Sequence, residues 1–507
     1  MPFRQLSWIL GCLIAALLLV APIAGAAPVV VLSESGDTRV ARDGLPVPRE
    51  LPGPVPATST RKHEAPLARL AATPRGPTVR GELRRMRRRG SIDTPTQVAH
   101  LAAYNRARST SRRLTGVRRA ELTGVLAVID GITARRELTP SRLNPLWTTL
   151  ERNEQWWRTG PLPTSGQRVQ FEGSELLWQY VPGQGLHAHP LANFGRLNGL
   201  WQGGRRYEQR MGVLMDELLA LRVERAGGIA WEYYFAFGPS RAPWVSGMAQ
   251  ATGLQALTRA AERLQRSGDV VAIAQAGLGI FDAAPPAGVR VSSGGGAHYL
   301  LYSGDPGLRV LNGFVQALSG LESFAAATAD PRAQRLYAEG RTAVAPEIAA
   351  SDTGAWSLYS LGRVSVEASL SYHQLLVGFL DDLCRRTGDS LYCDTGTRFA
   401  GYVEQPPALR VLTRRMRAGT FGALRFRLSK RSALTIRIER DGRLVTSRAL
   451  GTVPYGRRTT PFTPPRRRPG KYTVSWTGTD VAGNSEAGSA TVEVLPARPA
   501  RRGGGRR

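Results

Sequence analysis

Apolar residues recur at helical spacing through the middle of the chain. Val98, Leu101 and Tyr104 form one apolar stripe, and residues 122–129 hold a second. Stripes with intervals of three and four residues predict amphipathic helices. The same pattern predicts further helices at about 143–157, 190–200, 207–225, 246–267, 270–281, 309–329, 331–348 and 364–386. Helices in hairpin succession favour an (α/α) toroid, or barrel, for residues 91–402.

Beyond residue 402 the pattern changes to alternation. Apolar and polar positions alternate in Leu424–Leu428, Leu434–Ile438 and Tyr472–Trp476, which predicts strands. Several short strands in succession favour a β-sandwich. The stretch 470–484 also resembles the end of bacterial immunoglobulin-like modules, so we predict such a module at 405–496.

The two ends of the chain lack apolar periodicity of this kind. Residues 1–26 combine Arg4, a short apolar run and the small residues Ala24-Gly25-Ala26, which is typical of a secretory signal. Retention as an N-terminal anchor is the alternative to cleavage. Residues 27–90 are rich in Pro, Gly and Arg and predict a disordered spacer, and 497–507 form a basic tail. We therefore expect a secreted or surface-associated protein.

Arginine carries most of the charge. The chain has 68 Lys plus Arg against 39 Asp plus Glu, a formal net charge of +29, and lysine occurs only at Lys62, Lys430 and Lys471. A basic exported protein favours polyanions, such as an acidic polysaccharide or an anionic cell-wall surface that contacts its basic ends. The sequence has no helix-turn-helix or aromatic–basic platform, so nucleic acid is not expected as a partner.

The cysteines fit an exported protein. Cys12 lies in the predicted signal, which leaves Cys384 and Cys393. An even number at short separation favours one disulfide over two free thiols. A zinc site is not expected, because zinc takes four ligands and no matching set of His and Cys accompanies the pair.

Five short motifs between residues 176 and 402 carry the candidate chemistry. In chain order they are the loop ending Pro190-Leu191-Ala192-Asn193-Phe194-Gly195, the helix start Gly247-Met248-Ala249-Gln250, Leu311-Asn312-Gly313-Phe314 after Tyr302, Asp352-Thr353-Gly354 with Tyr359, and Tyr372-His373. Their types, order and separations resemble those of the C-terminal domain of the D-glucuronyl C5-epimerases.

The resemblance implies a reaction without cofactor or metal. Epimerisation at C5 of a glucuronate unit removes the proton beside the carboxylate and returns one from the opposite face. This needs two acid/base groups on opposite sides of the sugar. Hydrogen-bond donors or a cation must hold the carboxylate and stabilise the developing charge. The implied substrate is a glucuronate-containing polysaccharide.

The resemblance also assigns residues. It implies that Tyr302, Tyr359 and Tyr372, with the adjacent His373, are catalytic. The substrate-binding candidates are His189, Gln184, Asn193, Arg309, Asn312 and Arg363, of which the two arginines are chosen by position as a clamp for the carboxylate. The family places Glu directly before the first of these tyrosines, whereas this chain has Leu301.

Two other functions stay open at this stage. A uronate polysaccharide lyase begins with the same proton abstraction and often pairs Tyr with His or Arg. A non-catalytic protein that binds cell-wall glycan is favoured by Leu301 and opposed by the retention of all three tyrosines. Relatives of this kind often dimerise, so a homodimer is also left open.

Overall fold

The computed structural model describes residues 29–41 and 76–498 and is mixed in class, 46% helical and 26% strand. Helices span Val79–Arg88, Thr94–Arg113, Gly116–Ala134, Pro140–Thr159, Pro190–Gln202, Glu208–Ala220, Gly247–Arg263, Ser267–Ala276, Gly279–Asp282, Leu311–Thr328, Pro331–Ser351, Leu370–Thr387 and Ser390–Glu404. Strands span Val29–Leu32, Thr38–Ala41, Arg168–Phe171, Trp178–Val181, Gly185–Ala188, Val223–Arg225, Gly228–Ala230, Arg290–Ser293, Gly296–Tyr299, Leu308–Val310, Leu358–Gly362, Val366–Glu367, Leu409–Val411, Arg415–Arg417, Gly422–Leu428, Ser432–Arg440, Arg443–Val453, Gly456–Phe462, Gly470–Asp480 and Ser485–Leu495.

The N-terminal part packs helices against a five-stranded sheet. The Val29–Leu32 strand lies between Thr38–Ala41 and Arg168–Phe171, and it pairs in parallel with the latter. The sheet continues through Trp178–Val181 to Gly185–Ala188. Trp156, Trp157, Trp178 and other large side chains fill the core between this sheet and the helices. The sheet thus holds the Val181–Gly185 turn over the helical core.

The central part alternates long helices with short strands. Gly247–Arg263 packs against Leu311–Thr328, and both belong to a core that includes Phe314, Phe324 and Phe399. Ser246 caps the first of these helices by accepting a hydrogen bond from the Ala249 amide, as Ser residues at this position commonly do.

The predicted (α/α) toroid is wrong as a description of this chain. Short strands interrupt the predicted helices: Leu308–Val310 and Val366–Glu367 flank Leu358–Gly362 in a three-stranded sheet. The helix expected from residue 364 therefore begins at Leu370. Strands of two to five residues are too short for their period to be separated from helical periodicity in sequence.

The predicted immunoglobulin-like sandwich is also wrong. The C-terminal strands form a half-barrel arrangement, with one sheet of three strands and one of five. In the larger sheet, Arg415–Arg417 pairs in parallel with Ser485–Leu495, whereas immunoglobulin sheets are antiparallel. Alternation along a strand locates its buried face but does not determine which strands become neighbours.

The predicted spacer at 27–90 is incorrect at both of its ends. Val29–Leu32 is a strand of the N-terminal sheet, and Val79–Arg88 is a helix that buries Leu83 and Met86. The predicted signal at 1–26 and the basic tail from 499 onward lie outside the described residues. Among the described helices, none combines the length and apolarity that crossing a bilayer requires.

Cys384 and Cys393 form a disulfide between the two last helices of the central part. We expect Cys384→Ser with Cys393→Ser to lower the free energy of unfolding by about 2–3 kcal/mol, because the bond restricts a short loop in the unfolded chain. Urea unfolding with and without reductant measures this. A reductant that destabilises the double variant as much as the wild type would contradict the assignment.

The C-terminal sheets join the helical part through buried charges. The Glu367 carboxylate accepts hydrogen bonds from the amides of Arg431 (2.7 Å) and Tyr455 (3.0 Å). The Lys430 ammonium donates to the Tyr402 carbonyl at 2.7 Å and pairs with Asp480 at 3.2 Å. Through Glu367, these contacts hold the C-terminal sheets against the Val366–Glu367 strand.

Candidate functional site

An aromatic pocket of about 400 Å³ opens between the N-terminal sheet and the central helices. Its walls come from the Val181 turn, from the segment around Tyr233 and from the residues before Leu308–Val310. The lining residues are Ser165, Gly166, Gln179, Tyr180, Val181, Pro182, His189, Leu191, Tyr233, Phe235, Phe237, Trp244, Ser246, Leu301 and Tyr302. A concave, mainly apolar pocket with a few polar groups is typical of a ligand site.

Interlocked rings make one wall of the pocket. The Tyr233 and Trp244 rings stack with centroids 4.0 Å apart and planes 5° from parallel. Phe237 lies against both Trp244 and Tyr302, with centroids 6.4 Å and 5.1 Å away. Backbone hydrogen bonds between Tyr233 and Trp244 hold the two segments together. The wall is therefore rigid, and flat apolar rings of this kind suit the face of a sugar.

Glu121 fixes the turn on the opposite side. Its buried carboxylate accepts hydrogen bonds from the Tyr180 hydroxyl (2.7 Å) and from the amides of Gly183 (2.8 Å) and Gly185 (2.9 Å). Gln184, a predicted substrate ligand, instead exchanges two hydrogen bonds with the Ala236 backbone. Gln184 thus ties the turn to the aromatic wall.

Tyr302 lines the inner end of the pocket, and Tyr359 lies beside it, outside the pocket lining. Both hydroxyls are buried and bond no third group in the described part of the chain, but they interact with each other. Tyr372 packs its ring 4.9 Å from the Tyr359 ring. A buried hydroxyl with unused hydrogen-bonding capacity costs free energy. A polar group of a ligand in the pocket can supply the missing bond to Tyr302.

Burial keeps both phenols neutral in the resting protein. It is the largest reason why the pKa of Tyr302 lies well above its ordinary value, and the nearby Tyr359 raises it further. The pKa of Tyr359 is raised chiefly by burial and then by Tyr372, but Tyr302 acts in the opposite direction and lowers it. The two hydroxyls therefore interact directly, and both phenols stay protonated at neutral pH.

His189 faces the same pocket as a neutral donor. Its Nδ1 accepts the Ala192 amide hydrogen at 3.3 Å, so the ring proton is on Nε2. Burial, with a smaller contribution from Arg168, lowers the pKa of His189 to about 3. The imidazole is therefore uncharged at neutral pH and offers an N–H, not a lone pair, to a bound carboxylate.

Three other predicted site residues serve the fold. His373 bonds Ser357 through Nδ1 (2.7 Å) and the Phe399 carbonyl through Nε2 (2.8 Å), so neither ring nitrogen is left for a substrate. Asn193 uses its amide on the backbone of Leu177, at 2.7 and 2.9 Å. The side-chain Oδ1 of Asn312 accepts the Gly313 amide hydrogen at 2.9 Å, at the start of its helix.

The two predicted clamp arginines are already paired. Arg309 donates to Ser293 at 3.0 Å and to Glu347 at 3.2 Å. Arg363 donates to Asp305 at 2.6 Å, and its side chain is 57% exposed. Neither lines the aromatic pocket. Position in the sequence placed both arginines near the tyrosines but could not show that nearby acids neutralise them.

The sequence interpretation missed the aromatic wall and its support. Tyr233 follows Glu232, a fully buried carboxylate that binds Arg142 at 2.6 and 2.7 Å and accepts the Tyr234 hydroxyl at 3.0 Å. The dense run Trp231-Glu232-Tyr233-Tyr234-Phe235 was the available signal, because four aromatic residues among five positions are unusual in a solvated loop. Within the described residues no group of three His, Cys, Asp or Glu is arranged to hold a metal ion.

Comparison with known proteins identifies one family. Residues 226–401, about a third of the chain, match the family model for the D-glucuronyl C5-epimerase C-terminus. That segment contains Tyr302, Tyr359 and Tyr372, and the match supports an epimerase-like function, and hence an isomerase, in general terms. No curated protein matches the chain.

Two solved structures align with the chain at 14% identity. One is a crystal structure of an engineered protein, with 73% of this chain and 70% of that chain covered and a TM-score of 0.16. The other is a Cellulomonas fimi endo-beta-1,4-mannanase double mutant, with 73% of this chain and 85% of that chain covered and a TM-score of 0.14. Scores this low establish neither a shared fold nor a shared activity.

Proposed function

We propose that this protein exchanges the C5 proton of uronic acid units in an exported or cell-surface acidic polysaccharide. It does so without a cofactor, as an epimerase. The observation that carries the proposal is the buried Tyr302 hydroxyl at the end of an aromatic pocket, with the Tyr359 hydroxyl beside it. Both lie within the segment that matches the epimerase family.

The two adjacent phenols act as one acid/base pair on one side of the sugar. Tyr302, which lines the pocket, takes the C5 proton when it is deprotonated, and the Tyr359 hydroxyl lies beside it. Inversion requires that a proton return to C5 from the other face, where the pocket opens to solvent, and Tyr302 then loses its proton to water. The Nε2–H of His189 donates a hydrogen bond to the substrate carboxylate as charge develops there. The stacked Tyr233–Trp244 wall supports a sugar ring.

Export to an oxidising compartment is part of the proposal. It is supported by the predicted signal sequence and by the disulfide between Cys384 and Cys393. The acidic polymer suits the formal net charge of +29. Cell-wall contact through the basic ends and a homodimer remain proposals of the same kind.

The proposal is tested by incubating the mature protein with heparosan, an unsulfated glucuronate polymer, in heavy water. Proton NMR should show loss of the C5 proton signal without shortening of the chain. The same sample without protein corrects for spontaneous exchange. An unchanged C5 signal across a panel of glucuronate polymers would overturn the epimerase proposal.

The rate of exchange should depend strongly on pH. Because burial holds the pKa of Tyr302 well above its ordinary value, only a small fraction is phenolate at neutral pH. That fraction, and the rate, should rise about tenfold for each pH unit between about 7 and 9. A profile that is flat over this range would show that a group already deprotonated at pH 7, and not a tyrosine, takes the C5 proton.

A polysaccharide lyase is the second candidate. It is favoured by the presence of His189 and Tyr302 in one pocket, since a lyase needs a group to take the C5 proton and another to protonate the leaving sugar. A lyase would shorten heparosan and form unsaturated uronate, which absorbs in the near ultraviolet. The NMR sample, read by absorbance, therefore separates the two reactions. A protein that only binds glycan would give neither signal.

A further inference from the structure

Arginines form a row across the solvent-facing side of the three-stranded C-terminal sheet. Arg427 lies directly opposite Arg410 on one neighbouring strand and opposite Arg457 on the other. All three side chains are exposed. Neighbouring strands lie about 4.8 Å apart, so the three Cα atoms span about 10 Å. We refer to these residues as the arginine row.

Strand alternation fixes the direction in which the row points. Leu424, Phe426 and Leu428 are buried in the core between the C-terminal sheets, so Arg425 and Arg427 project from the other face. The solvent-facing positions of the three strands are Arg410, Ala423, Arg425, Arg427, Arg457, Thr459 and Pro461. This face therefore holds four positive charges and no acidic residue.

The arginines of this face are not neutralised by other residues. Among the described residues, the side chains of Arg410, Arg425, Arg427 and Arg457 form no ion pair. On the five-stranded sheet, by contrast, Arg437 pairs with Glu439 at 2.7 Å. Like charges directly opposite one another destabilise a sheet. A uniformly basic face therefore needs an anionic partner to offset this repulsion.

We propose that the arginine row binds the carboxylates of an acidic polysaccharide and holds the polymer beside the helical part. The inference rests on the proposed function, because it takes the same polymer class as ligand. Guanidinium groups bind carboxylates through paired hydrogen bonds. A row that crosses three strands meets successive negative groups of an extended chain.

The composition of the face favours a polysaccharide over two other polyanions. Single-stranded nucleic acid needs several aromatic rings on which successive bases stack, and the three strands present none on this face. Binding in the plane of a membrane needs a set of large apolar side chains beside the charges. Within the strands the uncharged positions are Ala423, Thr459 and Pro461, and Phe421, which is 79% exposed directly before Gly422–Leu428, adds one ring and not a platform.

The test compares two triple variants of the full mature chain that change the charge equally. Arg410→Gln, Arg427→Gln and Arg457→Gln remove the row, whereas Arg443→Gln, Arg448→Gln and Lys471→Gln remove three exposed charges from the five-stranded sheet. Retardation in gels that contain heparosan measures Kd at low salt. Removal of the row should raise Kd about tenfold, and the control should change it less than twofold.

The outcomes separate this inference from the proposed function. C5 exchange on a heparosan disaccharide at saturating concentration, where capture of a long polymer plays no part, should be unchanged in the row variant. If the wild-type protein binds heparosan through the row but does not exchange the C5 proton, only the proposed function is overturned. Equal binding by the two variants, or row-dependent binding to duplex DNA or to phosphatidylglycerol vesicles but not to heparosan, would overturn the inference.

Discussion

Tyr302→Phe and Tyr359→Phe should each lower the rate of C5 exchange on heparosan by about 10²- to 10⁴-fold. This is the usual contribution of a positioned acid or base. Each change removes one hydroxyl from the pair at the end of the pocket and leaves the ring in place. Loss of the Tyr302 hydroxyl, which lines the pocket, should also remove the steep rise of the residual rate with pH, whereas loss of the Tyr359 hydroxyl should keep it.

Stability gives an independent check on these variants. Because the two hydroxyls bond no third group in the described structure, replacement of either by Phe should change the melting temperature little. Tyr337→Phe, a similar change in a half-buried tyrosine outside the pocket, is the matched control and should exchange at the wild-type rate. Exchange above a tenth of the wild-type rate in Tyr302→Phe and Tyr359→Phe would exclude both phenols as acid and base.

The sequence predicted helices well where their apolar stripes were long. The predicted helix at 331–348 lies within Pro331–Ser351, and the one at 246–267 begins one residue before Gly247–Arg263. The prediction of secondary structure failed where the elements were short. Strands such as Leu308–Val310 are too brief to show a period, so the pattern within 91–402 predicts a toroid of helices and not the short sheets that interrupt it.

The candidate site shows a related limit. The spacing of the motifs predicts Tyr302, Tyr359 and Tyr372 as site residues. The structure places Tyr359 beside both of the others. Spacing does not reveal the partners of a side chain, however. His373 lies next to Tyr372 in sequence but points into the helical core, where Trp356 stacks on its ring at 3.9 Å. The arginine row was equally invisible, because it depends on the register of three strands.

Glu232→Gln should destabilise the protein by about 3–5 kcal/mol, the typical result of breaking a buried ion pair from one side. The carboxylate is fully buried and binds both Arg142 and Arg225, whose side chains are only 11% and 9% exposed. An amide leaves two buried guanidinium groups without their counterion. Urea unfolding measures the loss. Glu151→Gln, which breaks an exposed pair with Arg106, is the control and should cost less than about 1 kcal/mol.

Glu232→Gln should also loosen the aromatic wall of the pocket, because Glu232 directly precedes Tyr233 in that wall.

The loss of stability in Glu232→Gln should depend on pH. Burial acts to raise the pKa of Glu232, but Arg142 and Arg225 outweigh it and hold the pKa below its ordinary value. The stabilisation is therefore present above the pKa of the unfolded chain, near 4.3, and is lost as the pH falls through the lower folded value. The stability difference between wild type and Glu232→Gln should shrink as the pH falls below about 4. A difference that stays constant down to pH 2 would show that the loss comes from packing and not from the charge of Glu232.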